Sequence, residues 1–430
     1  MFVDTPPTDR VITPSPPPLA PVGEQERIVS LDVLRGFALL GILLLNIQAF
    51  AMIGTAYMHP YAYGSMEGVN GWIWRIVHVF GDQKFWTIFS MLFGAGIVVM
   101  TSRAEAAGRN AAGLHYRRMG WLILFGLLHA HLLWYGDILY FYGMCGLVLY
   151  LLRRRSPRTL FLLAIVLLAV ASSISCFFGW SMQFWGEEGI QQFADESWTP
   201  TPEVIQAELD AYRGGWTDQM AHRSLTAFFF ETFLFFLGGI GVKTLAITLA
   251  GMGLFKLGVF SAARSVRFYV ILAAIGFGVG LPLVEFGVRR HFANDWDIRY
   301  SFFFGGQYNF WASSLVSLGY VGVIMLVVKL GWLRPVTRVL AAVGRMAFTN
   351  YIMQTVICTT IFYGHGFGQF GRLERVEQLG VVVAVWAVQL IWSPIWLHYF
   401  RAGPLEWLWR SLSYWQRQPF RRASMPVTHA

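Results

Sequence analysis

The chain has 430 residues, 56% of them hydrophobic and 13% charged, with a formal net charge of +9. Soluble domains carry about 25% charged residues, so this composition excludes an ordinary soluble enzyme and predicts an all-α, polytopic transmembrane helix bundle. The apolar runs are too long and uniform for barrel strands, which alternate. The basic residues sit in short loops between those runs, which fits membrane orientation and anionic lipid and argues against nucleic acid.

In chain order, residues 1–26 hold Pro6, Pro7, Pro14, Pro16, Pro17, Pro18 and Pro21 and read as a disordered cytoplasmic tail without a cleavable signal peptide. A transmembrane domain over 27–412 follows, and 413–430 forms a basic cytoplasmic tail. A span needs about 20 apolar residues. Spans are expected near 36–56, 85–101, 119–135, 137–152, 159–180, 266–288, 309–330, 347–363 and 379–399. The block 225–260, interrupted by Gly238-Gly239, Gly241 and Lys243, adds one span plus a re-entrant or interfacial helix, for about ten spans in all.

Arg103, Arg109, Arg117 and Arg118, then Arg153, Arg154, Arg155 and Arg158, then Arg264 and Arg267, then Lys329, Arg334, Arg338 and Arg345, and finally Arg401, Arg410, Arg421 and Arg422 fall on one side if both termini are cytoplasmic. The acidic stretch 181–224 is then periplasmic.

Polar residues inside spans are the default functional candidates. Asn46 lies in the first span, Lys84 opens the second, His129 lies in the third, and Asp137 opens the fourth. A histidine that titrates near neutrality beside a carboxylate and a lysine suits general-base chemistry or a proton path. His131 points about 200° around the helix from His129, so the two cannot share a pocket. Asn350 and Gln354 share a helix face. Asp32, Arg35, Arg117, Arg118 and Arg345 gather at the inner ends, roughly 20 Å from the other set by helical rise.

Each residue also has a structural reading. His129 can be a hydrogen-bonded core histidine, Asp137 an N-cap, Asn46, Asn350 and Gln354 interhelical glue, Lys84 a snorkelling cation, Asp32–Arg35 an ion pair, and the inner arginines topology signals. Cys145, Cys176 and Cys358 lie in apolar runs with no metal or disulfide spacing. There is no Walker A sequence, zinc-ligand spacing or Gly-x-Ser-x-Gly elbow. No metal site and no bound cofactor is expected.

Several stretches together resemble the YeiB-like bacterial inner-membrane proteins, a family built on a domain of unknown function. They are Ser30-Leu-Asp-Val-Leu-Arg-Gly36 continuing to Asn46, Lys84-Phe through Leu92-Phe-Gly-Ala-Gly96, Gly126-Leu-Leu-His129, Gly136-Asp-Ile138, Gly344-Arg-Met-Ala-Phe-Thr-Asn-Tyr-Ile-Met-Gln-Thr-Val-Ile-Cys358 and Tyr399-Phe-Arg-Ala-Gly-Pro-Leu-Glu-Trp-Leu-Trp409. The resemblance implies an inner-membrane protein of roughly ten helices. More distantly, Asp32-x-x-Arg-Gly36 with Asn46 looks like the opening of the transmembrane acetyltransferases that act on heparan glucosamine. That likeness implies cytosolic acyl-CoA as donor and an acceptor acylated across the membrane. Their pattern has a histidine shortly beyond the Asn, and the nearest here is His59, in an outer loop. The nearer family favours His129.

Two readings follow. In the first the protein is an acyltransferase. Arg35, Arg117, Arg118 and Arg345 hold the phosphates of acyl-CoA as co-substrate. His129 deprotonates an acceptor, Asp137 orients the ring, and Asn46 or Lys84 stabilises the oxyanion, with Asp32, Asn350 and Gln354 lining the pocket. In the second the same residues line the path of a transported solute or lipid, with Gly238-Gly239 as a hinge. A structural or assembly protein is the blander third. The first reading expects His129 to face a cavity shared with Asn46 or Lys84 and His131 to face away from it; a His129 that points into lipid, or is sealed in tight packing with no cavity near it, drops the catalytic assignment and puts the second reading ahead.

Overall fold

A computed structural model describes residues 28–422. The Pro-rich tail assigned to 1–26 and residues 423–430 of the basic tail lie outside the described residues. Among the described residues the secondary structure is helical, with one isolated bridge between Phe400 and Arg421.

Helix α1 (Val29–Ala51) leads through α2 (Thr55–Met58) to α3 (Gly68–Phe80) and α4 (Lys84–Ala106). The corner Gly81-Asp82-Gln83 joins the last two, with Gln83 left-handed at φ 64°. An antiparallel pair follows, α5 (Ala111–Leu132) and α6 (Leu139–Leu152), and then α7 (Pro157–Ser181). Ser156 caps α7 and Pro157 opens it, because a first-turn N–H has no helical partner to lose.

The acidic stretch folds into α8 (Gly186–Ser197) and α9 (Pro202–Arg213). Helix α10 (Asp218–Phe229) continues as a π-helical segment to Leu237 and is bent by 66° from α11 (Ile240–Lys256), with Gly239 at φ 81° in the break. The long α12 (Val266–Ala293) runs antiparallel to α14 (Gln307–Lys329), Gly276 meeting Gly319 and Gly287 meeting Tyr308. The one-turn α13 (Ile298–Tyr300) lies between them. The chain closes with α15 (Arg334–Arg345), α16 (Ala347–Phe362), α17 (Arg375–Tyr399) and α18 (Pro404–Tyr414).

Six helical stretches are long and apolar enough to cross a membrane, and the bent α10–α11 pair makes a seventh if counted as one span. These apolar helices fit a membrane protein. The expected count of about ten is met in part, for a physical reason. Helix α6 has 14 residues and α16 has 16, short of a bilayer's thickness. Helix α5 has 22 residues but carries His115, Arg117, Arg118, His129 and His131, which dilute its hydropathy.

Burial sorts centre from rim. The apolar window of α1 is 67% buried inside the protein, whereas that of α7 is 17% buried and those of α12 and α17 are 22% buried. Helices α1 and α4 are therefore the axis, and α7, α12 and α17 present Leu, Ile, Val and Phe outward. Two close crossings fix the axis. A Cβ on Gly36 would collide with the Leu340 carbonyl, and one on Gly344 with that of Asp32, so α1 and α15 touch backbone to backbone. Gly94 and Gly251 do the same between α4 and α11. Small residues let helices approach where no hydrophobic effect drives them together.

Helices α8 and α9 cap the end of the bundle away from the arginines. Glu208 of α9 accepts from the Gly54 N–H at 2.9 Å, just past α1.

Candidate functional site

His129 stands on the last turn of α5 and is buried. Leu133 and Trp134 both donate backbone N–H groups to its carbonyl, which ends α5 and turns the chain toward α6. That turn brings Asp137 back onto the ring, with Nδ1 of His129 and Oδ1 of Asp137 2.7 Å apart. Oδ2 of Asp137 accepts the Tyr140 N–H at 2.7 Å, in the first turn of α6. Asp137 thus caps α6 and holds the histidine at once. On the other side, Nε2 of His129 lies 2.9 Å from Oγ1 of Thr355 on α16. With Asp137 ionised, Nδ1 carries the proton, and Nε2 is left to accept from the Thr355 hydroxyl. The carboxylate, imidazole and hydroxyl form one line, and all three residues are buried.

Tyr351 and Trp134 enclose the ring at centroid distances of 5.2 and 6.3 Å. Gly126 admits the close approach of Asp137 and Tyr140, where a Cβ would collide with the Tyr140 backbone. One cavity, a slot of about 20 Å³, is lined by Leu44, Gln48, Trp74 and Arg375 among others, and another, a groove of about 310 Å³, by Val29, Val33, Lys329, Arg334 and Thr337 among others. Neither is lined by His129, Asn46 or Lys84. The expectation that His129 and Lys84 share a cavity is corrected, since Lys84 bonds to His78 and Asn309, and the His129 ring is buried among Asp137, Thr355, Tyr351 and Trp134.

His131 diverges as the helical angle requires, its Nε2 lying 3.1 Å from Glu231. Asn46 is half-buried and its amide has no hydrogen-bond partner among the described residues. It lies one turn from Leu43 and Phe50, and Phe50 stacks on Trp134 at 4.1 Å, so its stripe of α1 runs toward the His129 group.

Asn350 and Gln354 act between helices. Asn350 donates to the Val343 carbonyl at 3.2 Å and to Ser393 at 3.0 Å, and accepts from Trp392 at 2.9 Å. Gln354 donates to Gln389 at 3.0 Å, tying α16 to α17.

Lys84 is not with His129. Its ammonium donates to the His78 carbonyl at 2.9 Å and to Oδ1 of Asn309 at 2.6 Å, at the start of α4. His59 is elsewhere again, stacked on Trp198 at 4.6 Å with Nδ1 2.9 Å from the Trp198 carbonyl, and burial in that outer loop pulls its pKa down.

The arginines gather at the opposite end, around α18. Arg35 pairs with Asp32 at 2.8 Å on α1. Arg345 follows Gly344, where α15 meets the Asp32 backbone. Nε of Arg117 donates to the Ser413 carbonyl at 2.9 Å, and the Arg118 guanidinium lies 4.1 Å over the Trp409 ring. Arg410 of α18 is within electrostatic range of Arg118 and Asp32. Glu406 anchors α18, with one oxygen accepting the Phe348 and Thr349 N–H groups at 2.7 and 3.1 Å and the other the Thr349 hydroxyl at 2.5 Å. Burial nonetheless pushes its pKa up.

Sequence reasoning singles out neither Thr355 nor Arg410. Thr355 is 226 positions from His129, and only its place beside Gln354 marks its helix as polar. Arg410 lies in a segment that reads as the end of the domain.

Comparison with known proteins gives one consistent result. A family description, "Protein of unknown function (DUF418)", matches residues 254–416. The uncharacterised protein YeiB of Escherichia coli (strain K12) is 33% identical over 400 residues, covering 90% of this chain and 96% of its own length. The uncharacterised protein YxaH of Bacillus subtilis (strain 168) is 31% identical over 434 residues, covering 94% of this chain and 98% of its own. An uncharacterised 39.9 kDa protein in the amylase 3′ region of Bacillus acidopullulyticus is 29% identical over 405 residues, covering 93% and 97%.

Proposed function

The chain belongs to the YeiB-like family, and for this member we propose an integral inner-membrane acyltransferase that moves an acyl group from a cytosolic acyl-CoA to a membrane or periplasmic acceptor. The observation that carries the proposal is the line Asp137–His129–Thr355, with Nδ1 held at 2.7 Å and a hydroxyl on Nε2 at 2.9 Å. A carboxylate that fixes the tautomer leaves the far nitrogen as a base toward a hydroxyl, which is the arrangement acyl transfer uses. His129 takes the proton of an acceptor hydroxyl that replaces Thr355 at Nε2, the acceptor oxygen adds to the thioester carbonyl, and Asp137 stabilises the imidazolium; the C–S bond then breaks and the imidazolium returns its proton to the departing CoA thiolate. Asn46, whose amide has no partner among the described residues, would donate to the oxyanion. Arg35, Arg117, Arg118, Arg345 and Arg410 supply guanidinium groups for the donor's phosphates. From Arg118 to His129 is 11 residues of one helix, roughly 16 Å at 1.5 Å per residue, a gap that the extended arm of the donor bridges.

This reading places both termini in the cytoplasm and the α8–α9 cap in the periplasm. Helices α5, α6 and α16 then cross as well, each burying one face and leaving an apolar face exposed, with Leu124 and Leu128 on α5, Val148 and Leu151 on α6 and Met353 and Val356 on α16. A cysteine at Ser197 should label from outside intact cells, and labelling only after permeabilisation reverses the orientation.

The deciding experiment uses the purified protein. Acyl-CoA should raise its unfolding temperature, since a ligand that binds only the folded state stabilises it. Label from acyl-CoA should pass to a membrane extract with the parent and not with His129→Gln. Absence of both responses ends the acyltransferase reading. The transporter reading then leads, on two observations that favour it: His129 is enclosed, and the α10–α11 pair is bent by 66° around Gly238-Gly239.

A further inference from the structure

A second polar group is built at the end of the bundle opposite the arginines, and nothing in the acyl-transfer reading uses it. Lys84 is fully buried and Lys243 is 5% exposed. Lys243 donates to Oε1 of Gln83 and lies 4.0 Å over the Phe310 ring. Lys84 donates to the His78 carbonyl and Asn309. Neither ammonium makes an ion pair among the described residues. The nearby carboxylate, Asp82, is turned to Asn309 at 2.7 Å and to His78 at 3.4 Å, and the two lysines lie within electrostatic range of each other.

Helix α11 begins beside this group, at the 66° break, with Lys243 in its first turn, while α4 and α14 carry Lys84 and Asn309 near the joints of the longer helical stretches 68–106 and 298–329. The α11 start carries partial positive charge and unpaired N–H groups, so a cation there is at the unfavourable end. Two ammoniums buried at one helix start, with a single carboxylate, Asp82, in electrostatic range of both, leave surplus positive charge in a dry place. Such surplus is costly unless a counter-charge arrives. Thr87, one turn beyond Lys84, is 1% exposed and its hydroxyl has no partner. Gln83 is held left-handed to aim its amide at Lys243, a strained backbone state of the kind that collects at binding sites.

We propose that Lys84 and Lys243, where the start of α11 meets α4 and α14, bind an oxyanion, the phosphate or carboxylate group of a lipid headgroup or of a small solute. Helix starts and lysine point charges together are the usual means of holding such a group. The site is independent of the His129 reading and stands whether or not acyl transfer is found.

The test uses the full-length protein in uncharged detergent at fixed ionic strength. Unfolding temperature is followed on adding inorganic phosphate, acetate, or mixed micelles containing phosphatidylglycerol against phosphatidylcholine, with chloride as the baseline. The expected result is a rise of about 3 °C or more in at least one arm. A response to phosphate or acetate assigns a soluble ligand, and a response to phosphatidylglycerol alone assigns a headgroup. Lys243→Met should abolish the rise and, without anion, unfold at or above the parent's temperature, because repulsion is relieved. Lys329→Met, at the arginine end, should keep the rise. The proposal is overturned if the parent responds in no arm, or if Lys243→Met keeps the response. It is also overturned if Lys243→Met and Lys243→Gln both unfold earlier than the parent or fail to fold, since that is how a merely structural cation behaves.

Discussion

The His129 group and the Lys84 group sit in one helix bundle and solve burial in opposite ways. Around His129 the ring and its carboxylate are matched: Asp137 holds one ring nitrogen, Thr355 the other, and the remaining carboxylate oxygen accepts the Tyr140 N–H. Around Lys84 and Lys243 the hydrogen bonds are partial and the charge is unmatched. A matched network can move a proton internally and is rigid while it waits. An unmatched one is a standing demand for a ligand. The two proposals thus fall on separate groups, proton transfer on the first and anion binding on the second, and a third set, the arginines around α18, lies at the far end.

The largest effect expected tests the matched group. His129→Gln should keep the fold, since the amide can still bond, and lower transfer by about 100- to 10,000-fold, the usual cost of losing a general base. His131→Gln should leave transfer within about threefold of the parent, because surface-side polar changes cost little. Equal loss in both variants would erase the distinction between the two histidines. Thr355→Val sharpens the comparison further. It removes a hydroxyl the proposed mechanism replaces with the acceptor's, so stability should fall by about 1 kcal/mol while transfer survives. A variant as inactive as His129→Gln would make Thr355 the nucleophile.

Glu406 offers the matched-network test at the arginine end. Its one side chain satisfies two backbone N–H groups at the start of α16 and the Thr349 hydroxyl. Glu406→Ala should cost about 1–3 kcal/mol in unfolding free energy by orphaning them. Glu406→Gln, which keeps an acceptor oxygen, should cost less. Equal costs would show that packing of α18, not the bonds, holds the two elements together.

The smallest effect concerns the outer cap. Burial pushes the Glu208 carboxyl from an ordinary 4.5 up to about 7. Between those values the folded protein binds more protons than the unfolded chain, so this group's contribution to stability is present below about 4.5, declines as pH rises and is gone above about 7. The unfolding temperature of the parent should fall across that window, and Glu208→Gln should flatten the slope. An unchanged slope would place the pH dependence in another group.

Much of this was legible before any coordinates. The helical class follows from long apolar runs, and the divergence of His129 and His131 follows from the angle per residue. The approach of Asp137 to His129 needs only a tight turn between two short helices. The span count was less legible. Helices α6 and α16 are shorter than a bilayer is thick, and α5 is interrupted by His115, Arg117, Arg118, His129 and His131, so none of the three has both the length and the uniform hydropathy by which a span is recognised. The placement of Lys84 was illegible for a related reason. A lysine opening a span can belong to any neighbour, and its partners Asn309 and Lys243 lie on helices far along the chain.

The sequence by itself determined the class of structure, the faces of individual helices and the ion pair Asp32–Arg35, because each depends on local geometry and on the cost of exposing polar backbone to lipid. Tertiary structure alone decided which faces meet. It put Thr355 on His129, Lys243 beside Lys84, Arg410 among the inner arginines and α15 against α1 through Gly36 and Gly344. In a bundle whose helices are apolar on nearly every side, hydrophobic periodicity no longer marks the inward face. The choice of partner then falls to close packing at small residues and to the few polar groups that must find one another.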